Sequence, residues 1–393
     1  MLFSPLIILG ALALVLIASG LLEFRYHQLV LSSIPIRIHV NGTRGKSSVT
    51  RLIAAGLRAG GKRTFAKTTG TAPRVIDSKG IDRIIHRLRR PSIGEQVRLL
   101  KYFSSEKPDV VVMECMAVQP QYQWISEHQM VKSHIGVITN ARPDHLDEMG
   151  PTEVDVVKSL CNSIPVGGTL VTAENKHKDI LQSAADRNES EIFFSDESSV
   201  SEKDLNNFAY IEHPQNVAIA LDVCHKMGVE RDIALSGMHS VRPDLGALVV
   251  WKLLGKKGSL QFVNGMAAND PVSTLQIWKF VIDRYPTTSG TAVFFNSRDD
   301  RPIRTKQMLE LTFEEIKPEH FIIRGDKIET KVRRMLHHSP DTEVSIFSLN
   351  ESIDNVSESI LSLPDDVLVF AIGNQVGTGQ EILQKLSESR DND

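Results

Sequence analysis

Short apolar runs of strand length recur along this chain, each followed by a longer stretch with apolar residues at helical spacing. No other feature restricts the fold as much. "IPIRIHV" (34–40), "DVVVMEC" (109–115), "HIGVITN" (134–140) and "GGTLVTA" (167–173) are rich in Val, Ile and Leu without strict alternation, the pattern of strands covered on both faces. Strand, helix, strand, repeated in this way, is the grammar of a doubly wound, mostly parallel α/β sheet. It restarts at "LQFVNGMAAND" (260–270) and continues through "TAVFFNSRDD", "HFIIRGD", "EVSIFSL" and "DVLVFAIGN", so a second, smaller Rossmann-like α/β domain is expected. A length of 393 residues also favours two domains. The division expected is a central domain over 34–245, a C-terminal domain over 246–385 and a flexible tail over 386–393.

Ahead of both domains, "LFSPLIILGALALVLIASGLL" (2–22) carries no charge and is long enough to cross a bilayer as one helix. "ASG" at 18–20 would suit signal cleavage, but the basic leader is missing and the apolar stretch is too long, so a transmembrane anchor over 1–22 and a polar linker over 23–33 are expected. The nearest cations, Arg25, Arg37, Arg44 and Lys46, all follow the span, which places the body of a single-pass membrane protein in the cytoplasm. A net charge of −3 gives no global attraction to nucleic acid. Three distant cysteines without C-x-x-C spacing suggest neither a disulfide framework nor a zinc site.

"VNGTRGKSSVT", starting at Val40, joins the first strand to a helix whose apolar face is Val49, Leu52, Ile53, Gly56 and Leu57. It has the glycines, lysine and hydroxyl of a phosphate loop, although Val40 stands where G-x-x-x-x-G-K-[ST] has its first glycine. The chemistry needs backbone N–H groups and a helix N-terminus aimed at phosphate oxygens. Gly42, Thr43, Arg44 and Gly45 would form the cradle, Lys46 would reach the β/γ-phosphates, and Ser47, followed by Ser48, would offer a hydroxyl to Mg²⁺. A phosphate loop alone names no reaction.

Glu114 closes its apolar run at the carboxyl edge of the sheet, where α/β proteins bind ligands; it reads equally as a metal ligand or as an acid at a strand end. "NARPDHLDEMG" leaves the next strand carrying Asp144, His145 and Asp147, and a His beside carboxylates suits Mg²⁺ or phosphate. "KTTGTAPR" offers Lys67, Thr68, Thr69, Thr71 and Arg74 in one glycine-containing loop, either to grip carboxylates or as an ordinary polar turn. In "IDRIIHRLRR", Arg83, Arg87, Arg89 and Arg90 read first as a solvated helix face and second as a contact for a polyanion or anionic lipid.

In order and spacing, "NGTRGKS", the glutamate of "VVMECMA" and "TNARPDHLDEMG" resemble the ATPase core of the Mur ligase superfamily, with its short G-T-x-G-K-[ST] loop and N-x-x-x-D-H-[LM]-D signature. The resemblance accounts for Val40, since the family's loop lacks that first glycine. It spans roughly residues 34 to 385 and is strongest in these motifs. "HPQNVAIALDVCHKMG" resembles the H-x-x-N segment, implying Asn216, after His213, near adenine. "SVRPDLGALVV" resembles the basic turn before the last domain, implying Arg242 at a phosphate. "NGMAANDPVST" and "FFNSRDDRP" resemble motifs closing over the nucleotide, implying Asn269, Asp270, Arg298 and Asp299. Lys158 matches poorly the family's carbamylated lysine and reads as a surface residue.

There is no room between the anchor and the phosphate loop for the uridine-nucleotide domain of peptidoglycan ligases. With "KTTGT", "PSIGEQ", "ECMAV" and "DHLDEMGPT", the chain is most similar to the membrane-bound ligase subunits of poly-γ-glutamate synthases. The resemblance implies an ATP- and Mg²⁺-dependent ligase joining glutamate to a poly-γ-glutamate chain through an acyl phosphate. Lys46, Glu114 and His145 would be catalytic, and Ser47, Glu114 and His145 would hold metal. It also implies work with membrane-embedded subunits of the same synthase, with the oligomeric state open, a homo-oligomer included. The alternatives are a folylpolyglutamate-type ligase, against which the anchor argues, and a membrane-tethered phosphate-loop ATPase without ligase activity.

Overall fold

The computed structural model describes residues 5–69, 73–87, 91–208, 210–241, 250–266, 268, 270–297 and 302–391. The chain forms two compact units, one of Met1–Phe208 with Glu212–Asp244, the other of Ala209–Ile211 with Leu245–Asp393.

In the first unit the described residues build β1 (Ile36–Asn41), β2 (Thr64–Thr68), β3 (Arg74–Ile76), β4 (Asp82–Ile84), β5 (Val110–Glu114), β6 (Ile135–Ile138), β7 (Thr169–Thr172) and β8 (Glu191–Phe194). They form one sheet of order β4-β3-β2-β5-β1-β6-β7-β8. β2, β5, β1, β6, β7 and β8 run parallel, while β3 and β4 add an antiparallel edge. β1 lies between β5 and β6, so its carboxyl end is a switch point of the kind where such sheets open a crevice.

Helix α1 covers Pro5–Ser32 and α2 covers Lys46–Ala59. α2 is buried without interruption from Val49 to Leu57, not only on the apolar face legible in the sequence. Its second face is covered by the helices Pro214–Lys226 and Arg231–His239. The approach is close because the contact residues are small. A Cβ on Gly56 would lie 2.7 Å from the Cys224 sulfur, and one on Gly237 would lie 2.6 Å from the Ala55 carbonyl.

The polar linker expected over 23–33 is instead the last part of α1. Val30, Leu31 and Ile34 are buried with Phe65, Leu100, Phe103 and Val111, so leaving the helix early would expose core surface. A third helix, α3 (Glu95–Ser105), lies against it. The Lys101 ammonium sits 4.8 Å above the Tyr26 ring, His27 Nε2 bonds the Met130 carbonyl at 2.8 Å, and Lys132 Nζ donates to Gln28 Oε1 at 3.0 Å. Further toward the N-terminus α1 is exposed. Ile7–Ser32 is long and apolar enough to cross a membrane, with a window of mean hydropathy 2.4 and none of it buried.

The second unit holds β9 (Val250–Leu254), β10 (Ser259–Asn264), β11 (Thr291–Asn296), β12 (His320–Arg324), β13 (Glu343–Phe347) and β14 (Leu368–Gly373). Their order is β13-β12-β11-β14-β10-β9, parallel except for β9. Two clusters, around Phe313, Phe321 and Phe370 and around Phe262, Phe294 and Ile360, fill its two faces. The tail expected to be loose from 386 is held as far as Asp391. Ser389 and Asp391 bond the backbone of β9, the Arg390 guanidinium stacks 3.7 Å over Trp251, and Lys252 pairs with Asp391 at 2.7 Å.

Candidate active site

The turn from β1 into α2 is built on two glycines with positive φ, Gly42 at 131° and Gly45 at 80°. Neither position has room for a side chain: a Cβ would fall 2.0 Å from Thr139 Oγ1 at Gly42 and 2.5 Å from Asn216 Oδ1 at Gly45. Only glycine combines that backbone with that proximity. Lys46 folds back over the loop, Nζ donating to the carbonyls of Gly42 at 2.6 Å and Thr43 at 3.2 Å. Burial lowers its pKa, with Glu114, Cys115 and Asp144 opposing that shift.

Two residues after β6, neither of them among the site residues expected from sequence, brace this loop. Asn140 Oδ1 accepts from the Thr43 hydroxyl at 2.7 Å and the Arg44 amide at 3.2 Å, while its Nδ2 donates to the Arg44 carbonyl at 3.1 Å. Thr139 Oγ1 donates to the same carbonyl at 2.6 Å. The signal was present, because Asn140 opens the "NARPDHLD" motif.

Glu114 ends β5 beside Val40 of β1 and is buried. Its Oε2 accepts from the Ser47 hydroxyl at 2.8 Å and the Thr69 amide at 2.7 Å, and its Oε1 from the Thr69 hydroxyl. Lys67 comes from β2, paired with Met113 one residue before Glu114. Lys67 and Thr68 therefore belong to a fully buried strand and not to the glycine-containing loop expected. Lys67 Nζ lies 3.6 Å from Glu95, which Arg87 holds by two bonds of 2.7 and 2.9 Å. Burial lowers the pKa of Lys67 against the pull of Glu114 and Glu95. Arg87 itself follows β4, so no helix face carries "IDRIIHRLRR" over 81–87.

The structure thus brings Gly42, Thr43, Arg44, Gly45, Lys46, Ser47, Glu114, Lys67, Thr69 and Asn216 to one strand-edge crevice, with Ser48 in the first turn of α2. Asn216 is held by Glu212 at 2.7 Å and faces Gly45. His145 is not joined to Glu114. It precedes the short helix Leu146–Met149 with φ 49°, half exposed, and its nearest carboxylates are Asp144 and Glu148, each at 3.9 Å. The motif loop turns its ring outward, while Asp144 faces Arg44 at 3.5 Å.

Arg74 sits on β3, 3.7 Å from Asp82. Asp270 caps the helix Pro271–Arg284 by accepting from the Ser273 amide at 2.8 Å. Lys158 is exposed on the helix Glu153–Leu160. Thr71, Arg242, Asn269, Arg298 and Asp299 lie outside the described residues.

Among the described residues no three His, Cys, Asp or Glu side chains cluster as a metal site. What suits a divalent ion is the Ser47 hydroxyl touching the Glu114 carboxylate beside the phosphate loop, a hard oxygen pair of the kind that completes its shell with water and phosphate oxygens. Behind the crevice lies a buried polar chain. His39 Nδ1 bonds Glu127 at 2.7 Å, and Glu127 also accepts from the Ser133 amide and hydroxyl. Burial alone would lower the His39 pKa, but Cys115 and Glu127 outweigh it and raise it to about 10.

Residues 40–251 match the Mur ligase middle domain, and residues 250–389 match the poly-gamma-glutamate synthase CapB C-terminal domain. The chain is 38% identical to the capsule biosynthesis protein CapB of Bacillus anthracis, over 99% of its own length and 84% of that protein. It is 32% identical to the PGA synthase CapB of Bacillus subtilis (strain 168), over 95% and 96% respectively. Among solved structures, E. coli FolC in complex with DHPP and ADP superposes with a TM-score of 0.67 at 15% identity, covering 92% of this chain and 91% of that one. Folylpolyglutamate synthase from Thermotoga maritima gives 0.61 at 14% identity, covering 93% of both. The α/β fold is therefore shared with these solved structures, and the chain is an ATP-dependent ligase that belongs to the CapB family of poly-γ-glutamate synthases.

Proposed function

We propose that this ligase forms γ-glutamyl amide bonds by activating a glutamyl carboxylate as an acyl phosphate. In the first half, a carboxylate oxygen attacks the γ-phosphorus of ATP and the bond to the ADP oxygen breaks. In the second, the amine of the next glutamate attacks the acyl carbon, phosphate leaves with the bonding pair, and the amine's surplus proton passes to solvent. Splitting the reaction supplies a leaving group that a free carboxylate lacks. Its main demand on the protein is to hold groups in line and neutralise charge.

The observation that carries this reading is the meeting of Lys46, Ser47 and Glu114 at the strand edge. In the free protein Lys46 is satisfied by loop carbonyls, and a β/γ-phosphate offers the same amine a stronger, charged acceptor. The loop amides and the start of α2 would take the remaining phosphate oxygens. Ser47 and Glu114 would hold Mg²⁺, which supplies charge neutralisation on the phosphates. Lys67, beside Glu114 and charge-paired with Glu95, and Thr69 would orient the substrate carboxylate. A bifunctional folylpolyglutamate synthase/dihydrofolate synthase has been solved with Mn, AMPPNP and L-glutamate bound, ligands of the class assigned here. His145 is proposed as a contact that requires rotation of its exposed ring toward the phosphates.

The acceptor is a poly-γ-glutamate chain, and the enzyme acts at the cell membrane beside membrane-embedded subunits of the same synthase. The cations after the span orient it toward the cytoplasm, where ATP is. The test incubates the protein in membranes with ATP, Mg²⁺ and labelled glutamate. A γ-linked polymer with stoichiometric ADP and phosphate is expected, and label appearing only on an added folate acceptor would replace this reading with folate polyglutamylation.

A further inference from the structure

A cavity of about 590 Å³ lies at the far end of α2, between Arg51 and Arg58 of that helix, the turn joining β3 to β4, and the end of the helix Arg231–His239. β3 runs antiparallel to β2, so this turn sits at the edge of the sheet opposite the phosphate loop. Twelve helical positions separate Lys46 from Arg58, roughly 18 Å at ~1.5 Å each, so a triphosphate on the loop does not reach it.

Among the buried polar atoms in the walls that have no hydrogen-bond partner are Arg58 Nη1 and Asp82 Oδ1. Arg58 makes no ion pair with any described residue. The acids near it are engaged elsewhere. Asp77 Oδ1 accepts from the amides of Lys79 at 2.9 Å and Ile81 at 3.0 Å. Asp82 Oδ2 takes Arg51 at 2.8 Å and lies 3.7 Å from Arg74. Burial accordingly outweighs Asp77 and Asp82 and lowers the Arg58 pKa to about 10. Arg58 is half-buried, and leaving its buried Nη1 unpartnered costs stability that a bound anion would offset. The lining cations Arg51, Arg58 and Lys79 exceed the single lining acid Asp82, and the lining also includes alanine and isoleucine side chains. The volume is that of a small-molecule site.

We propose that this cavity binds an acidic α-amino acid or the amino end of a γ-glutamyl peptide, its carboxylates meeting Arg58 and Lys79 and its ammonium meeting Asp82 Oδ1. The need for both a cationic and an anionic partner distinguishes this ligand from a plain oxyanion. The site is separate from the catalytic crevice, and binding there requires no turnover.

The test is calorimetric titration of the full chain in lipid nanodiscs, without ATP, using glutamate, γ-glutamylglutamate, glutarate and inorganic phosphate as probes. Saturable binding of glutamate or its dipeptide is expected, at least tenfold weaker in Arg58→Met, partly restored in Arg58→Lys, and lost when Ser240→Trp fills the cavity. Glutarate, lacking the ammonium, should bind at least tenfold more weakly than glutamate. Which of the two amino-acid probes binds tighter tells free glutamate from the polymer end. Glutamate affinity unchanged in both Arg58→Met and Ser240→Trp, no saturable binding of either amino-acid probe, or phosphate binding in their place would overturn the assignment. Arg58→Met is expected to keep a folded thermal transition and glutamate-dependent ADP release, so a failed ligase assay and a failed binding assay point to different errors.

Discussion

Lys46 is held by two loop carbonyls in the free protein, so its removal deletes a cation from the phosphates without leaving a buried charge behind. Lys46→Ala is expected to lower glutamate-dependent ADP release by about a hundredfold or more, with an unchanged circular dichroism spectrum. Asn140 acts through the loop: it ties Thr43 and Arg44 in place by three side-chain bonds. Asn140→Ala should weaken ATP binding about tenfold, the effect of roughly 1.4 kcal/mol, measured by nucleotide titration. Behind them, the His39 pKa is raised from the 6.5 of a free imidazole to about 10, with Cys115 and Glu127 facing it and His128 nearby. A pKa raised on folding stabilises fully below about pH 6.5, and that contribution is lost as pH rises toward 10. The His39 contribution to the melting temperature should therefore fall as pH rises above 6.5, against the opposing contribution of Cys115, whose pKa the same pairing lowers, and that fall should be absent in His39→Gln. Equal slopes in scanning calorimetry would assign the chain of polar contacts no such role. The phosphate loop was legible because glycine, lysine and hydroxyl positions are dictated by local backbone geometry. Lys67 was misplaced because a fully buried lysine breaks the apolar pattern by which a strand is recognised.

Among elements, the parallel strands at the heart of each sheet were read directly from their Val and Ile runs, while β2, β3, β4, β8 and β9 were not. β3 and β4 have three residues each, and β8 alternates exposed with half-buried positions at an edge, so neither length nor continuous apolarity marks them. α2 shows the reverse limit: one amphipathic face was legible, but its complete burial depends on helices arriving about 170 residues later, which no local pattern reports. That junction is tight at Gly237, whose α-carbon faces the Ala55 carbonyl. Gly237→Val should destabilise the first unit by about 1–3 kcal/mol, read as a shift of its denaturation midpoint, and should weaken nucleotide binding less than Asn140→Ala does. An unshifted midpoint would mean that the two helices separate without cost.

For the molecule as a whole, the apolar helix divides into a part that contributes to the fold and a part that does not. Deleting residues 1–22 removes exposed apolar surface and should give a protein that stays in the supernatant after ultracentrifugation, folded and able to bind nucleotide. Deleting residues 1–34 also removes Val30, Leu31 and Ile34 from the core around Phe65 and Phe103, and should lower the melting temperature sharply or prevent folding. Similar melting of the two truncations would contradict the docking of α1. Because α1 is unbroken from Pro5 to Ser32 and ends inside that core, no swivel separates its exposed apolar part from the first unit. A bilayer that took up that apolar part would therefore hold the first unit, and the crevice in it, at one heading and height. A glycine-serine spacer inserted after Leu22 would release that heading while leaving each chemical step intact.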